Sequence, residues 1–401
     1  MGLTKEKILE LSRKNNEPEW MLRKRLDAFS LFERLDMPEL RYGLHIVSTY
    51  GELDLNKLDF SKQHKTEVID ADVFSKKGIV IEDLHTALKT RPELVKKYFM
   101  TDCIKVEENK FAALHAAFWH RGLFIHIPKD VEVKTPIHLK LKAQGDVIEH
   151  ILVISDSSSN IDIIEEVYSD SDKDNNKFLF RSGLVEIYAQ ENSKVQFASI
   201  QNYGSNVFNF TIKRALVERD ANVNWLDCVF GSNITISNVS SLLKGNGARS
   251  NNWAVFYGDE KQHYDFSMNS VHEAPDTVSD MLTKGALSDN AKSIYRGSIK
   301  IHQNAARSNG YQKEDTLLLS DKAEVDSIPK LEIDTNDVKC SHGAAIGQID
   351  EDKLFYMMSR GIPEDLAKRK IVEGFFDPML KKIAIEELRN NLMQMIDKRM
   401  G

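Results

Sequence analysis

Thiols and paired imidazoles are the scarce chemistry of this chain, which holds three cysteines in 401 residues. Cys340 and His342 stand two residues apart in VKCSHGAAIGQID, Val338 to Asp350. On a strand, alternate residues share a face, so both side chains would point the same way. That is either half of a metal site or an ordinary strand end. Zinc or an iron–sulfur centre needs more ligands, and no other Cys or His lies nearby in sequence. Gly343 beside His342 leaves the imidazole uncrowded, which suits an exposed or interfacial group.

The other imidazoles have plainer readings. His115, His120 and His126 surround Trp119 but fall on two faces and two element types, which argues against a shared metal. His263 and Asp265 share one strand side, either as a hydrogen-bonded pair ordering the surface or as a general acid–base pair. The stretch KGNGARSNN lacks the strand–turn–helix setting and final Lys-Ser/Thr of a phosphate loop, so it reads as a turn, and no nucleotide is expected on this chain.

The wide spacing and odd number of cysteines argue against a disulfide framework and for reduced thiols in a cytoplasm. A net charge of −7 with both signs interleaved gives no general attraction to nucleic acid or acidic lipid. No apolar run approaches the roughly 18 residues that span a bilayer.

Three stretches would position these residues: 1–110 mainly helical, 111–350 a β core, and 351–401 helical again. In the first, NEPEW reads as a capping box with Asn16 as N-cap and Glu19 three residues on. IEDLHTALKTRPELVKKYF reads as helix broken at Pro92. From Phe124 onward, short alternating segments such as HILVIS, KVQFASIQ and NWAVFYG recur between turn residues. No helix long enough for a crossover separates them, which argues against a doubly wound sheet and leaves a sandwich, barrel or solenoid. The length of the region, its many Asn and Ser residues and the lack of hairpin dipeptides lean to a solenoid, although no fixed period emerges. After Asp350, helices are expected to end at Gly361 and Gly374, followed by a last one striped with Leu380, Ile383, Leu388, Leu392 and Ile396.

The segment IPKLEIDTNDVKCSHGAAIGQIDEDKLFYMMSRGI, from Ile328 to Ile362, closely resembles the C-terminal signature of the SufB/SufD family. HEAPDTVSDMLTKGALSDNAKSIYRGSIKIHQNAARSNGYQKEDTLLLS, NKFAALHAAFWHRGLFIHIPKDVEVKTPI and NEPEWMLRKRLDAF resemble it too, so most of the chain is covered. The resemblance implies a right-handed parallel β-helix between N- and C-terminal helical domains. It also implies a non-catalytic scaffold on which a transient iron–sulfur cluster is built from iron and sulfide. The expected partners are a SufC-type ABC ATPase that hydrolyses the ATP, a SufB-type scaffold or a second copy, and a cysteine desulfurase or other sulfur donor. Flavin use is left open.

By the same resemblance, the ATPase would dock on a surface built from Phe355, Tyr356, Arg360, Gly361 and the segment around Phe375. Where B-type subunits carry a cysteine, this chain holds Glu314, and where they read Glu-His-Glu it holds Ser341, His342 and Gly343. The KCSHGA wording is similar to the D-type branch, whereas NEPEW is more typical of the B-type. His342 would then offer nitrogen to iron at a dimer interface, Glu314 a hard oxygen, and Cys340 only packing. Two alternatives stand beside this: a purely structural partner without a ligand, and a β-solenoid enzyme acting on carbohydrate with paired carboxylates.

Overall fold

Strands that cannot bury both faces alone stack here into a parallel solenoid. The structure, a computed structural model, describes residues 2–42, 45–60, 66–169, 178–382 and 386–400.

The chain opens with helices α1 (Lys5–Asn15) and α2 (Glu19–Arg34) and a small hairpin, β1 (Arg41–Tyr42) with β2 (Ile46–Val47). Strand β3 (Glu67–Ile69), helix α3 (Ala71–Ser75), strand β4 (Val80–Asp83) and helices α4 (Leu84–Thr90), α5 (Pro92–Tyr98) and α6 (Lys110–Phe118) follow. The solenoid begins at β5 (Arg121–Ile127) and alternates between two sheets. The first sheet holds β6 (Ile137–Ala143), β8 (Asn160–Ser169), β10 (Lys194–Tyr203), β12 (Asn222–Gly231), β14 (Arg249–Gly258), β16 (Val278–Leu287), β18 (Asn309–Leu318) and β20 (Lys339–Gln348). The second holds β5, β7 (Val147–Ser155), β9 (Leu179–Ala189), β11 (Val207–Val217), β13 (Ile234–Leu243), β15 (His263–His272), β17 (Lys292–Ile301) and β19 (Glu324–Ile333). Helices α7 (Glu351–Ser359), α8 (Glu364–Leu380) and α9 (Glu386–Arg399) complete it. The fold is mainly β, a parallel β-helix flanked by helices at both termini. No helix among the described residues is long and apolar enough to cross a membrane.

Alternation sorts each strand into two faces. Lumenal positions carry Val185, Ile187, Phe197, Trp225, Phe256 and Tyr264, all buried. On the outside of the second sheet, Leu184, Phe208, Phe210 and Ile212 pack with Phe29, Phe111 and Phe118 of the N-terminal helices. On the outside of the first sheet, Ile200, Leu226, Val255 and Tyr257 lie under Val372, Phe376, Leu388, Leu392 and Ile396. The expected stripe of the last helix is therefore spent on the body of the chain; Ile383 lies outside the described residues.

Corners hold residues in the left-handed region, among them Ser158, Asn192, Asp220, Gly247, Asp276 and Arg307. Gly247, with φ +70°, makes KGNGARSNN one more solenoid corner. At one end, β3 and β4 add to the sheets antiparallel, through β6 and β5. At the other, β19 and β20 each pair on one side only.

Three local expectations are corrected. Asn16 does not open α2; it closes α1 with φ 50°, a conformation Asn tolerates, and Pro18 precedes α2 instead. Gly374 does not end a helix, because α8 continues through it to Leu380, held by burial of Phe376 and Met379. His263 and Asp265 share a face but do not bond each other. Ser48 lies 2.7 Å from His263 Nε2, while Asp265 accepts from Tyr42 (2.9 Å) and Arg296 (2.7 Å). The β1–β2 hairpin thus straps the outside of the second sheet, with the Arg296 guanidinium 4.3 Å from the Tyr42 ring centre.

Candidate functional site

The open end of the solenoid gathers most of the residues singled out by sequence. In β20, Cys340 stands opposite Gly310 and His342 opposite Gln312 of β18; Ala344 stands opposite Glu314. Parallel register keeps one face throughout, so Cys340, His342 and Ala344 continue the lumenal row of Gly310, Gln312 and Glu314. A Cβ built on Gly310 would lie 3.4 Å from the Cys340 sulfur and 2.9 Å from Ile299, which places all three at the lumen.

His342 is exposed; among the described residues no further strand pairs with β20. Cys340 is half-buried against the same apolar cluster as Val325, Leu331 and Val338, and burial raises its thiol above the ordinary value. Glu314 is buried at 1% exposure one diagonal step from His342. Burial raises its carboxyl, against the pull of the neighbouring Thr316 and Ser327 hydroxyls. Thr316 donates a short hydrogen bond to its Oε1, and Oε2 has no partner among the described residues.

Among the described residues, no three His, Cys, Asp or Glu side chains converge to hold a metal ion. His342 and Glu314 are brought to one lumen but do not by themselves form a complete ligand set. Sequence reasoning missed Gln312 and Tyr295, which share that lumen; the signal lies in register across about thirty residues, not in local spacing.

Deeper in the lumen, charge is consumed internally. Arg181 donates to Glu149 (2.6 Å) and Glu165 (2.9 Å), and Lys213 donates to Asp227 (2.6 Å). The histidines around Trp119 separate as well. His115 lies 3.2 Å from His150, while His120 bonds the Phe118 carbonyl.

The second group of residues lies on the C-terminal helices. Phe355 is 74% exposed and Tyr356 59%, and Met358 and Leu366 are also exposed. The Arg360 guanidinium donates to the Tyr356 hydroxyl (3.2 Å), and Gly361, with φ +86°, turns the chain away from α7. Phe375 is half-buried on α8, with Lys284 Nζ 4.1 Å from its ring centre.

Comparison with known proteins gives two family models. One, described as SUF system FeS cluster assembly, SufBD core domain, matches residues 139–375; the other, SufBD protein N-terminal region, matches residues 60–139. Among similar proteins, an iron–sulfur cluster assembly SufBD family protein of Staphylococcus haemolyticus is 30% identical, over 96% of this chain and 90% of its own length. Those of Staphylococcus aureus strain MRSA252 and Staphylococcus saprophyticus are 30% and 29% identical over the same shares.

Proposed function

Because the chain belongs to the SufBD family of SUF-system iron–sulfur cluster assembly proteins, we propose that it is a non-hydrolytic scaffold that offers iron a ligand at a seam between two protomers. The observation that carries this reading is the position of His342, exposed on a terminal strand whose outer edge pairs with no strand among the described residues.

An unpaired parallel edge presents a row of N–H and C=O groups that a second chain can complete. A D-type subunit would meet a B-type scaffold there, or a second copy of itself. The imidazole then faces the partner's groups, which supply the ligands that this chain lacks. Glu314 stands behind it as a hard oxygen donor, suited to iron more than to sulfide. The aromatic patch of Phe355, Tyr356 and Arg360 is the docking surface for a SufC-type ATPase, with the segment around Phe375 at its margin. Exposed aromatic and Arg side chains are the residue types that dominate interface energies. Hydrolysis occurs on that partner in the cytoplasm, and a cysteine desulfurase system supplies sulfur.

Copurification of the full chain with untagged partners tests the assembly, and anaerobic reconstitution with iron and sulfide tests the chemistry. Visible absorption that grows with wild type and fails with His342→Ala, in an intact complex, supports a ligand role. Equal absorption from both leaves the chain a purely structural partner.

A further inference from the structure

Four polar side chains in the last turns of the lumen each leave one oxygen without a well-formed hydrogen bond among the described residues. Tyr295 on β17, Gln312 and Glu314 on β18 are each at least 98% buried, and Ser327 on β19 is half-buried. The Tyr295 hydroxyl, Gln312 Oε1, Glu314 Oε2 and Ser327 Oγ make no well-formed hydrogen bond to any described residue; the Ser327 hydroxyl stands beside the Glu314 carboxyl and that of Thr283 beside Tyr295. Buried oxygens left so cost free energy unless something else satisfies them.

Their orientation is fixed from behind. Gln312 Nε2 donates to the Lys330 carbonyl (3.3 Å), which turns Oε1 inward, and Thr316 occupies Glu314 Oε1, which leaves Oε2. They also converge. A Cβ built on Gly297 would fall 2.1 Å from Gln312 Oε1 and 2.8 Å from the Tyr295 hydroxyl, so both oxygens reach over one glycine. Ser327 is in register with Tyr295. The lysines nearby in sequence, Lys284 and Lys313, reach Asp315 on the other face of the strand.

We infer that Tyr295, Gln312, Glu314 and Ser327 form an all-oxygen site for a hard divalent cation, one strand inside His342 and separable from it. The inference rests on the reading of this chain as an iron-handling scaffold and deepens it: iron would be received as a ferrous ion in the lumen before it reaches the seam. One carboxylate with neutral oxygens suits Fe2+ or Mn2+ better than an anion, for which the nearby lysines are turned to the other face. Gly297 is the residue that keeps the space open.

The test is anaerobic titration of the purified full chain with Mn2+, followed by electron paramagnetic resonance of the free ion, with Fe2+ as competitor. Stoichiometric binding is expected in wild type and equally in His342→Ala. It weakens at least about tenfold in the near-isosteric Glu314→Gln, which loses the one charged ligand. Gly297→Ala weakens it too by filling the space, and Gln312→Glu strengthens it. Absence of stoichiometric binding in wild type, where the oxygens hold water alone, overturns the inference; so does binding indifferent to Glu314→Gln, or binding lost in His342→Ala. Loss of cluster formation in His342→Ala without Mn2+ binding by wild type would remove this site and leave the seam reading intact. Mn2+ binding with normal cluster yield from His342→Ala would do the reverse.

Discussion

His342 lies directly across from Gln312 in the outermost parallel pair, and both face the lumen; Glu314 is two residues further along, across from Ala344. The exposed imidazole is thus separated from the buried carboxylate by one diagonal step, a Cβ spacing of about 7–8 Å in such pairings. One side chain is available to a second protomer and the other is not.

His342→Ala should therefore act on chemistry and not on folding. An exposed side chain with no packing role changes stability by no more than about 0.5 kcal/mol. Cluster absorbance of the reconstituted complex should fall several-fold, with thermal melting unchanged.

Ala344→Pro should block pairing at the free edge. Lys339 N donates to Ser308 O, so alternate residues of β20 bond inward and the N–H of Ala344 points away from β18. Proline there removes an outward donor without breaking the inner ladder. Light scattering should show pairing weakened at least about tenfold, while monomer stability shifts by about 1 kcal/mol or less.

Phe355→Ser with Tyr356→Ser should abolish ATPase capture. Two aromatic anchors account for about 2 kcal/mol or more of an interface, roughly thirtyfold in affinity. Both side chains are exposed, so the melting temperature of the isolated chain should hold, and a pull-down with the ATPase reads the loss.

Acid should destabilise the fold through buried histidines. Burial lowers His272 from 6.5 to about 4, with its ring nitrogens held by Thr277 (2.7 Å) and Ser279 (2.8 Å). Burial also lowers His120 to about 4, opposed by its bond to the Phe118 carbonyl. The unfolded chain takes up these protons near 6.5 and the folded chain only near 4. Stability is thus whole above about pH 6.5 and is lost as pH falls toward 4, by about 3 kcal/mol for each residue. Urea midpoints across that window should show the slope, and His272→Gln should flatten part of it.

Arg296→Ala should loosen the strap. Asp265 is fully buried and, among the described residues, would keep only Tyr42 as a hydrogen-bond partner, whereas Arg296 itself is 28% exposed. The loss, discounted for that exposure, is about 2 kcal/mol by urea unfolding. Tyr42→Phe should cost about 2 kcal/mol, that of one hydrogen bond to a charge.

Period-2 alternation made the strands legible, because lumen and outer face differ in burial along every rung. The repeat itself was not, and the structure shows why. Along one sheet Ile137, Ile163, Phe197, Trp225, Asn252, Met281, Gln312 and His342 stand in register, so rung length varies from 26 to 34 residues. Nor did alternation reveal which outer face each helical domain covers, since that follows from tertiary packing of Phe210 or Leu226 and not from their neighbours in sequence. Asn16 misled because one residue type serves both ends of a helix. At the site, Cys340 and His342 were readable as sharing a face, while Gln312 and Tyr295 carry no local signature and become visible only when register stacks them.

The two ends of the solenoid are treated differently, and that asymmetry limits growth. Antiparallel β3 and β4, of three and four residues, leave only short edges at one end, whereas β19 and β20 present edges of ten residues each at the other. Two molecules that meet through the long edges leave only the short ones behind, whereas a solenoid with long bare edges at both ends would keep adding subunits into a fibre.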